Sequence, residues 1–472
     1  MEISPENARW ARRITPGRAP AYQLQYFRIG MSMKPRLLIL LSVFSLLALG
    51  VSPPVMGAAQ AQDAVKEKPQ KPKKPKTRRS EVLGSAAFRL IEKARELAEQ
   101  GKYDAALVPL QQILDGDKFK PYEKAVAMQS MGFVHADKND YPATIAAFEQ
   151  AVATGDLPQA IVARLTYNLA QLYLAEAKPQ KALAFFEQWF DTQNNEPDAA
   201  AFALKAQIYL TLDDMRQAEQ AIRKALLKVK EPQQSWTRIL LSVLLQEARY
   251  EEARPVLEDA VEIWPGVKIF WQQLAAVYDE LGAEKLGFVA LRAMHVQGML
   301  TSSQELAAMA QLYLYHNVPI KAAAILQSGL DGGTIKKTEE NYDLLAQAYM
   351  HAREWGKSIA PLMQAAEMSD KGKFYAQLAQ AYVQDEEWHK AEQALVKALD
   401  KGGLDNPADS WLLLGIARYR LEEFDAAIKA FRKAGDDDDV AKDAFRWIRT
   451  IERRLAAKRR AADEATAARG DG

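Results

Sequence analysis

Five histidines are spread along 472 residues: His135, His295, His316, His351 and His389. An imidazole can bind a metal or carry a proton, but either task needs a second ligand or partner at a fixed spacing. None of the five belongs to an HExxH or other ligand-spaced pair. His135 falls at a packing position, which fits a core histidine with its hydrogen bonds satisfied. There is no cysteine, which removes thiolate nucleophiles, thiolate metal sites and disulfides. Gly332-Gly333 reads as a turn, and neither a GxSxG elbow nor a GxxxxGK(S/T) phosphate loop occurs. The run Asp436 to Asp439 lacks the alternating ligands and closing Glu of a calcium loop, so it reads as a solvated turn. The residues therefore point to no enzyme, no cofactor and no metal.

What does recur is an amide. Gln171 (LAQLY), Gln207 (KAQIY), Gln311 (MAQLY), Gln347 (LAQAY) and Gln380 (LAQAY) share one local context. A Gln amide supplies two donors and an acceptor. A row of them could hold the backbone of an extended or helical peptide while tolerating its sequence. The competing reading is plain: such a position must be polar, and Gln is a good helix former.

The elements that would carry this row are helices. From about Ser85 onward Ala, Leu, Gln and Glu dominate, with apolar residues at three- and four-residue spacing and no sustained strand alternation. An internal period organises them. The unit Trp411, Leu414, Gly415, Phe424, Ala427, Phe431, Ala434 has counterparts in Tyr375, Leu378, Ala379, Trp388, Ala391, Leu395, Ala398 and in Tyr342, Leu345, Ala346, Trp355, Leu362, Ala365. Starts fall near residues 86, 124, 162, 198, 232, 267, 302, 338, 371 and 407. Large residues fit the layer between units, and small residues fit where two helices cross. Pro121, Pro158, Pro197, Pro232, Pro265 and Pro407 fall between units, where a helix must stop.

This pattern resembles the tetratricopeptide repeat (TPR), a unit of about 34 residues. The resemblance covers 86–436 and implies an all-α, right-handed superhelical solenoid of about ten helix-turn-helix repeats over 85–436, with a concave protein-binding groove. It places the five glutamines on that groove as partner-binding residues. Some members clamp a C-terminal carboxylate with Lys and Asn; this sequence has Gln at the corresponding position and lacks that set. The segment 437–460 is expected to be a capping helix, basic at its far end, and 461–472 a disordered tail.

The ends bear on location. Residues 31–61 combine Lys34 and Arg36, an apolar run from Leu37 to Leu49, and Ala59-Gln60-Ala61. That is the pattern of a signal peptide cleaved after Ala61. An uncleaved inner-membrane anchor is the alternative, although the apolar run is shorter than the ~20 residues a span needs. Residues 1–30 read as a gene-model extension, with translation starting at Met31 or Met33, or as a long n-region. The Lys/Pro-rich linker 62–84 is expected to stay disordered; it is a spacer or a basic tether to anionic lipid or an acidic partner. Lys+Arg number 62 against 61 Asp+Glu, which argues against a nucleic-acid partner.

A narrower resemblance rests on LAQLYLYHNVPIKAAAILQSGL from Leu306, on Asp400 to Ala434, and on Tyr167 to Phe190. These stretches resemble exported proteobacterial TPR proteins associated with the TonB, ExbB and ExbD energy-transducing proteins. This implies a periplasmic scaffold accessory to outer-membrane nutrient uptake. An envelope-assembly or chaperone-like factor for outer-membrane or polysaccharide machinery is the other reading.

Overall fold

The computed structural model describes residues 82–193 and 196–470, with side chains to 461. The expectations for 1–30, for the signal peptide 31–61 and for all but the end of the linker 62–84 lie outside these residues. The described chain is all-α. Its helices form ten consecutive pairs, each a helix A followed by a helix B. The first five pairs are α1 Ser85–Glu99 and α2 Tyr103–Asp115; α3 Pro121–Asp137 and α4 Tyr141–Ala153; α5 Gln159–Ala175 and α6 Pro179–Phe190; α7 Ala199–Thr211 and α8 Met215–Leu227; α9 Gln234–Gln246 and α10 Tyr250–Ile263. The next five are α11 Lys268–Glu280 and α12 Glu284–Val296; α13 Ser303–Tyr315 and α14 Pro319–Asp331; α15 Glu339–His351 and α16 Trp355–Met368; α17 Lys373–Gln384 and α18 Trp388–Lys401; α19 Pro407–Arg420 and α20 Phe424–Ala434. A single long helix, α21 Asp438–Gly470, closes the series. It continues past 460 through the segment expected to be disordered, because Ala461, Ala462, Ala465, Ala467 and Ala468 favour helix strongly. The chain divides into two compact units inside α11, one up to Phe270 and one from Trp271. Among the described residues no helix is long and apolar enough to cross a membrane.

Within a pair, the crossing of A and B is set by residue size. A Cβ placed on Gly415 would lie 2.5 Å from the ring of Phe431, which is fully buried. Gly132 faces Phe148 in the same way. Elsewhere Ala takes this position, as at Ala170, Ala206, Ala310, Ala346 and Ala379, all without exposed surface. The facing position on helix B is also small. Ala182, Ala218, Ala322, Ala391 and Ala427 are fully buried there, as are Thr144 and Ser358. Thr144 Oγ1 donates to Asp140 O at 2.8 Å, and Ser358 Oγ to Trp355 O at 2.7 Å. Each buried hydroxyl is thus satisfied by its own helix.

One turn joins A to B in every pair. Residues Gly101, Asn139, Ala177, Asp213, Ala248, Gly282, Asn317, Arg353, Glu386 and Glu422 all have left-handed φ between 55° and 71°. The following N–H reaches back five residues, as in Lys178 N to Tyr173 O at 2.8 Å and Arg249 N to Leu244 O at 2.8 Å. The left-handed residue itself bonds three residues back, as in Ala177 N to Leu174 O at 3.1 Å. This pattern satisfies the orphan carbonyls at the end of helix A. Helix starts are capped where the sequence allows. Asp198 accepts from Ala201 N at 2.8 Å, and Ser302 and Glu305 form a reciprocal capping box.

In the unit up to Phe270, consecutive pairs are also tied by charge. Arg249, in the turn before α10, contacts Glu219 of α8 at 2.6 Å and Glu252 at 2.8 Å. Arg223 of α8 contacts Glu219 at 2.8 Å and Glu252 at 3.3 Å. Two guanidinium groups and two carboxylates interlock, which holds Glu219 and Glu252 below the ordinary carboxylate range, chiefly through the hydrogen bonds from Arg249.

Candidate functional site

Each glutamine of the predicted row lies on a helix A, directly after the small crossing residue. The unit up to Phe270 carries Gln171 on α5 and Gln207 on α7, both half-buried. The unit from Trp271 carries Gln311 on α13, exposed, with Gln347 on α15 and Gln380 on α17, both half-buried. The equivalent position in other pairs does not always face solvent. Ser242 of α9 and Ile416 of α19 occupy it and are buried. No hydrogen bond joins one glutamine of the row to another among the described residues; Gln347 is engaged by its own helix.

That engagement leads to the best-developed polar cluster on these faces. Gln347 Nε2 donates to Asp343 Oδ1 at 2.9 Å, one turn earlier on α15. Lys373, at the start of α17, places its Nζ 3.7 Å from Asp343 and 3.6 Å from Glu339. The same ammonium sits 4.2 Å from the centroid of the Phe374 ring. Burial raises the Asp343 carboxyl above its ordinary range, although Gln347 and Lys373 both pull the other way. One turn beyond Lys373, the Oε1 of Gln377 is buried with no hydrogen-bond partner. A buried acceptor without a donor costs free energy, and a ligand N–H would relieve it. Two adjacent helices A therefore present carboxylate, ammonium and amide groups together, which suits the alternating donors and acceptors of a peptide backbone.

Sequence reasoning singled out Gln347 and Gln380 and passed over Asp343 and Lys373, which the structure brings beside Gln347, and Gln377, one turn beyond Lys373. Asp343 stands four residues before Gln347, a spacing that puts both on one helix face. That spacing was available in the sequence; the burial of Asp343 was not.

The histidines behave as isolated side chains. His135 departs from the expectation of a satisfied core residue: it is only half-buried, and its Nδ1 is buried with no partner. It sits near the end of α3, where Val134 rather than His135 fills the core. His295 also has a buried Nδ1 without a partner, and burial lowers its pKa. His316 stacks on Phe288 with centroids 4.1 Å apart and is likewise lowered by burial. No group of three or more His, Asp or Glu side chains could hold a metal among the described residues.

A further feature unseen in the sequence is a cleft of about 290 Å³ between α18, α19 and α20. Trp411 and Leu414 form part of its apolar lining. Its cations are largely occupied. Lys433 Nζ lies 4.1 Å from the Trp411 ring centroid, and Arg418 Nε bonds Glu392 at 2.8 Å.

Ten helix hairpins with one shared crossing and one shared turn define a helical-repeat array. Residues 203–267 and 377–441 match the tetratricopeptide-repeat family model. These two segments therefore resemble tetratricopeptide repeats, and the ten helix pairs share one common build. Repeats of this family are generally non-catalytic and bind protein or peptide partners. No curated protein matches the sequence. Among solved structures, a tetratricopeptide repeat protein from Parabacteroides merdae is 15% identical, over 56% of this chain and 99% of its own, with TM-score 0.36. MamA from Desulfovibrio magneticus is 16% identical over 40% of this chain and 99% of its own, with TM-score 0.33. YrrB, described as a TPR protein with an unusual peptide-binding site, is 14% identical over 40% of this chain and 97% of its own, with TM-score 0.32.

Proposed function

We propose that this protein is a periplasmic scaffold that takes a segment of a partner protein on its A-helix faces, as an accessory of the TonB–ExbB–ExbD system in outer-membrane nutrient uptake. The observation that carries the binding part is the Asp343–Gln347–Lys373–Gln377 cluster, in which a buried acceptor is left without a donor. Gln311 and Gln380 extend the same chemistry along neighbouring helices A of that unit. The export part is supported by the signal-like pattern of 31–61, and the TonB part by the resemblance of the repeat sequences to exported TPR proteins of that system. The Lys/Pro-rich composition of 62–84 fits a tether to an anionic membrane surface or an acidic partner.

The test is a photo-crosslinker placed in turn at Gln311, Gln347 and Gln380 of the protein in intact cell envelopes. Adducts with TonB, ExbB or ExbD are expected. They should fade when Gln347 and Gln377 are both changed to Ala, while the thermal melt stays within a few degrees. Adducts restricted to outer-membrane assembly or polysaccharide machinery would transfer the scaffold to the envelope-assembly reading. Absence of any adduct from all three positions would remove the groove as the binding face.

A further inference from the structure

The closing helix α21 has two opposite faces. Ala444, Ile448 and Ile451 are buried on one, against α20 and α19, and Trp447 stacks on Phe431 with ring planes 2° apart. The other face carries Lys442, Arg446, Arg449, Arg453 and Arg460, all exposed. Their spacing of four, three, four and seven residues keeps them within one narrow stripe of an α-helix, about 27 Å long at about 1.5 Å per residue. Arg446 has Asp443 at 3.4 Å, in a pair that is itself solvent-exposed. No carboxylate among the side chains described up to residue 461 is paired with Lys442, Arg449 or Arg453. Arg454 and Lys458, on the flank, are by contrast tied to Glu422 at 2.6 and 3.6 Å.

A cap for the array needs only a polar outer face, and mixed charges would serve. Like charges at three- and four-residue spacing work against the helix that carries them. The chain as a whole is nearly neutral, so the stripe is not a consequence of composition. We infer that it is a second docking surface, separate from the A-helix faces, for an acidic helical segment of a protein partner. The width of the stripe selects this occupant. Asp443 and Glu452 flank it on either side. A broad anionic plane such as a bilayer would meet these carboxylates together with the cations. A narrow segment with glutamates along one face meets the cations alone. Four of the five cations are Arg, whose planar fork pairs bidentately with carboxylate.

The test uses the full chain and two synthetic helical peptides of identical composition. One has Glu on a single face at spacings of four, three, four and seven; the other spreads the same Glu residues around the helix. The one-faced peptide should bind about tenfold or more tightly than the spread one, and binding should weaken as salt rises. The variant Arg449→Gln/Arg453→Gln/Arg460→Gln should lose about tenfold or more of that affinity with an unchanged helical melt, because all three side chains are exposed. The variant Gln347→Ala/Gln377→Ala should bind the peptide as the parent does, which separates this surface from the A-helix faces. Equal binding of the two peptides, an unaffected triple variant, or preference for vesicles rich in phosphatidylglycerol over the one-faced peptide would each overturn the inference.

Discussion

Changing Ala177 or Ala248 to Gly should stabilise the protein, although glycine usually weakens helical proteins. Both residues occupy the left-handed position of an A–B turn, with φ of 55° and 56°. An L-residue there costs roughly 1–2 kcal/mol, because its Cβ crowds the next carbonyl. Glycine removes that cost but gives back about 0.5–1 kcal/mol through the extra freedom of the unfolded chain. The net expectation is a gain of about 0.5–1 kcal/mol at each site. Nothing else offsets it, since both methyl groups are exposed and the turn's backbone hydrogen bonds are unchanged by the substitution. The two turns are far apart in sequence and share no partner, so the double variant should gain about the sum. Ala146, exposed in the middle of α4 of the same unit, supplies the contrast: there Gly should cost about 1 kcal/mol. Urea unfolding followed by circular dichroism measures both, as a shift of midpoint at constant slope. If Ala177→Gly and Ala248→Gly lower the midpoint as Ala146→Gly does, the left-handed turn is not what limits these positions.

Three other outcomes are expected. Ala391→Trp should destabilise the unit from Trp271 by about 3 kcal/mol or more, since Ala391 is fully buried at the crossing of α17 and α18 and the core has no room for an indole; an unchanged melt would mean that the helices cross elsewhere. Burial holds Asp343 above its ordinary pKa of 3.8, so the folded chain binds that proton more tightly than the unfolded one, and the associated stability is lost as pH rises through the folded value. Asp343→Asn should therefore gain on the parent between pH 4 and 7 in paired thermal melts, by about 1.4 kcal/mol for each tenfold by which folding tightens the proton, and a difference independent of pH would contradict this. Arg249→Met should cost about 1 kcal/mol at low salt and less in high salt, because Glu219 and Glu252 lose their shared partner while the ion pairs remain partly open to water; chemical denaturation at two ionic strengths decides it.

The fold was legible because its period is written in residue size. Small residues at the crossings, such as Gly132, Gly415, Ala391 and Ala427, fixed the pairing of helices before any coordinates. The crossing positions filled by Thr144 and Ser358 were not recognised, since a hydroxyl residue there looks polar until its bond to the preceding turn is seen. The turns were readable where Gly101 or Asn139 marked them and opaque where Ala177, Arg353 or Glu386 took the same left-handed geometry. These residues have no turn signature of their own, and the hydrogen bonds of the closing turn impose the conformation on them. A chain terminus is expected to be poorly ordered, but the alanines of 461–468 favour helix strongly and α21 runs on to Gly470.

The candidate site was less legible for a reason intrinsic to a repeat. Packing dictates the crossing and the turn, so these positions repeat and can be found by their period. The residue after the crossing is not dictated: it is Gln171, Gln207, Gln311, Gln347 and Gln380 in five pairs, but Phe133, Ser242, Ala276 and Ile416 in others. A recurring Gln alone therefore cannot separate a binding row from a convenient helix former. The neighbouring atoms can. Asp343 is buried at the expense of its ionised form, and Gln377 holds an acceptor out of water with nothing to satisfy it. Neither is required by the A–B crossing, which elsewhere in the array is made from Ala, Gly, Thr, Ser and Leu241 at no such cost. Unfavourable polar burial that the crossing does not need is the physical ground for the proposal that a partner segment lies against α15 and α17 rather than at the five glutamines equally.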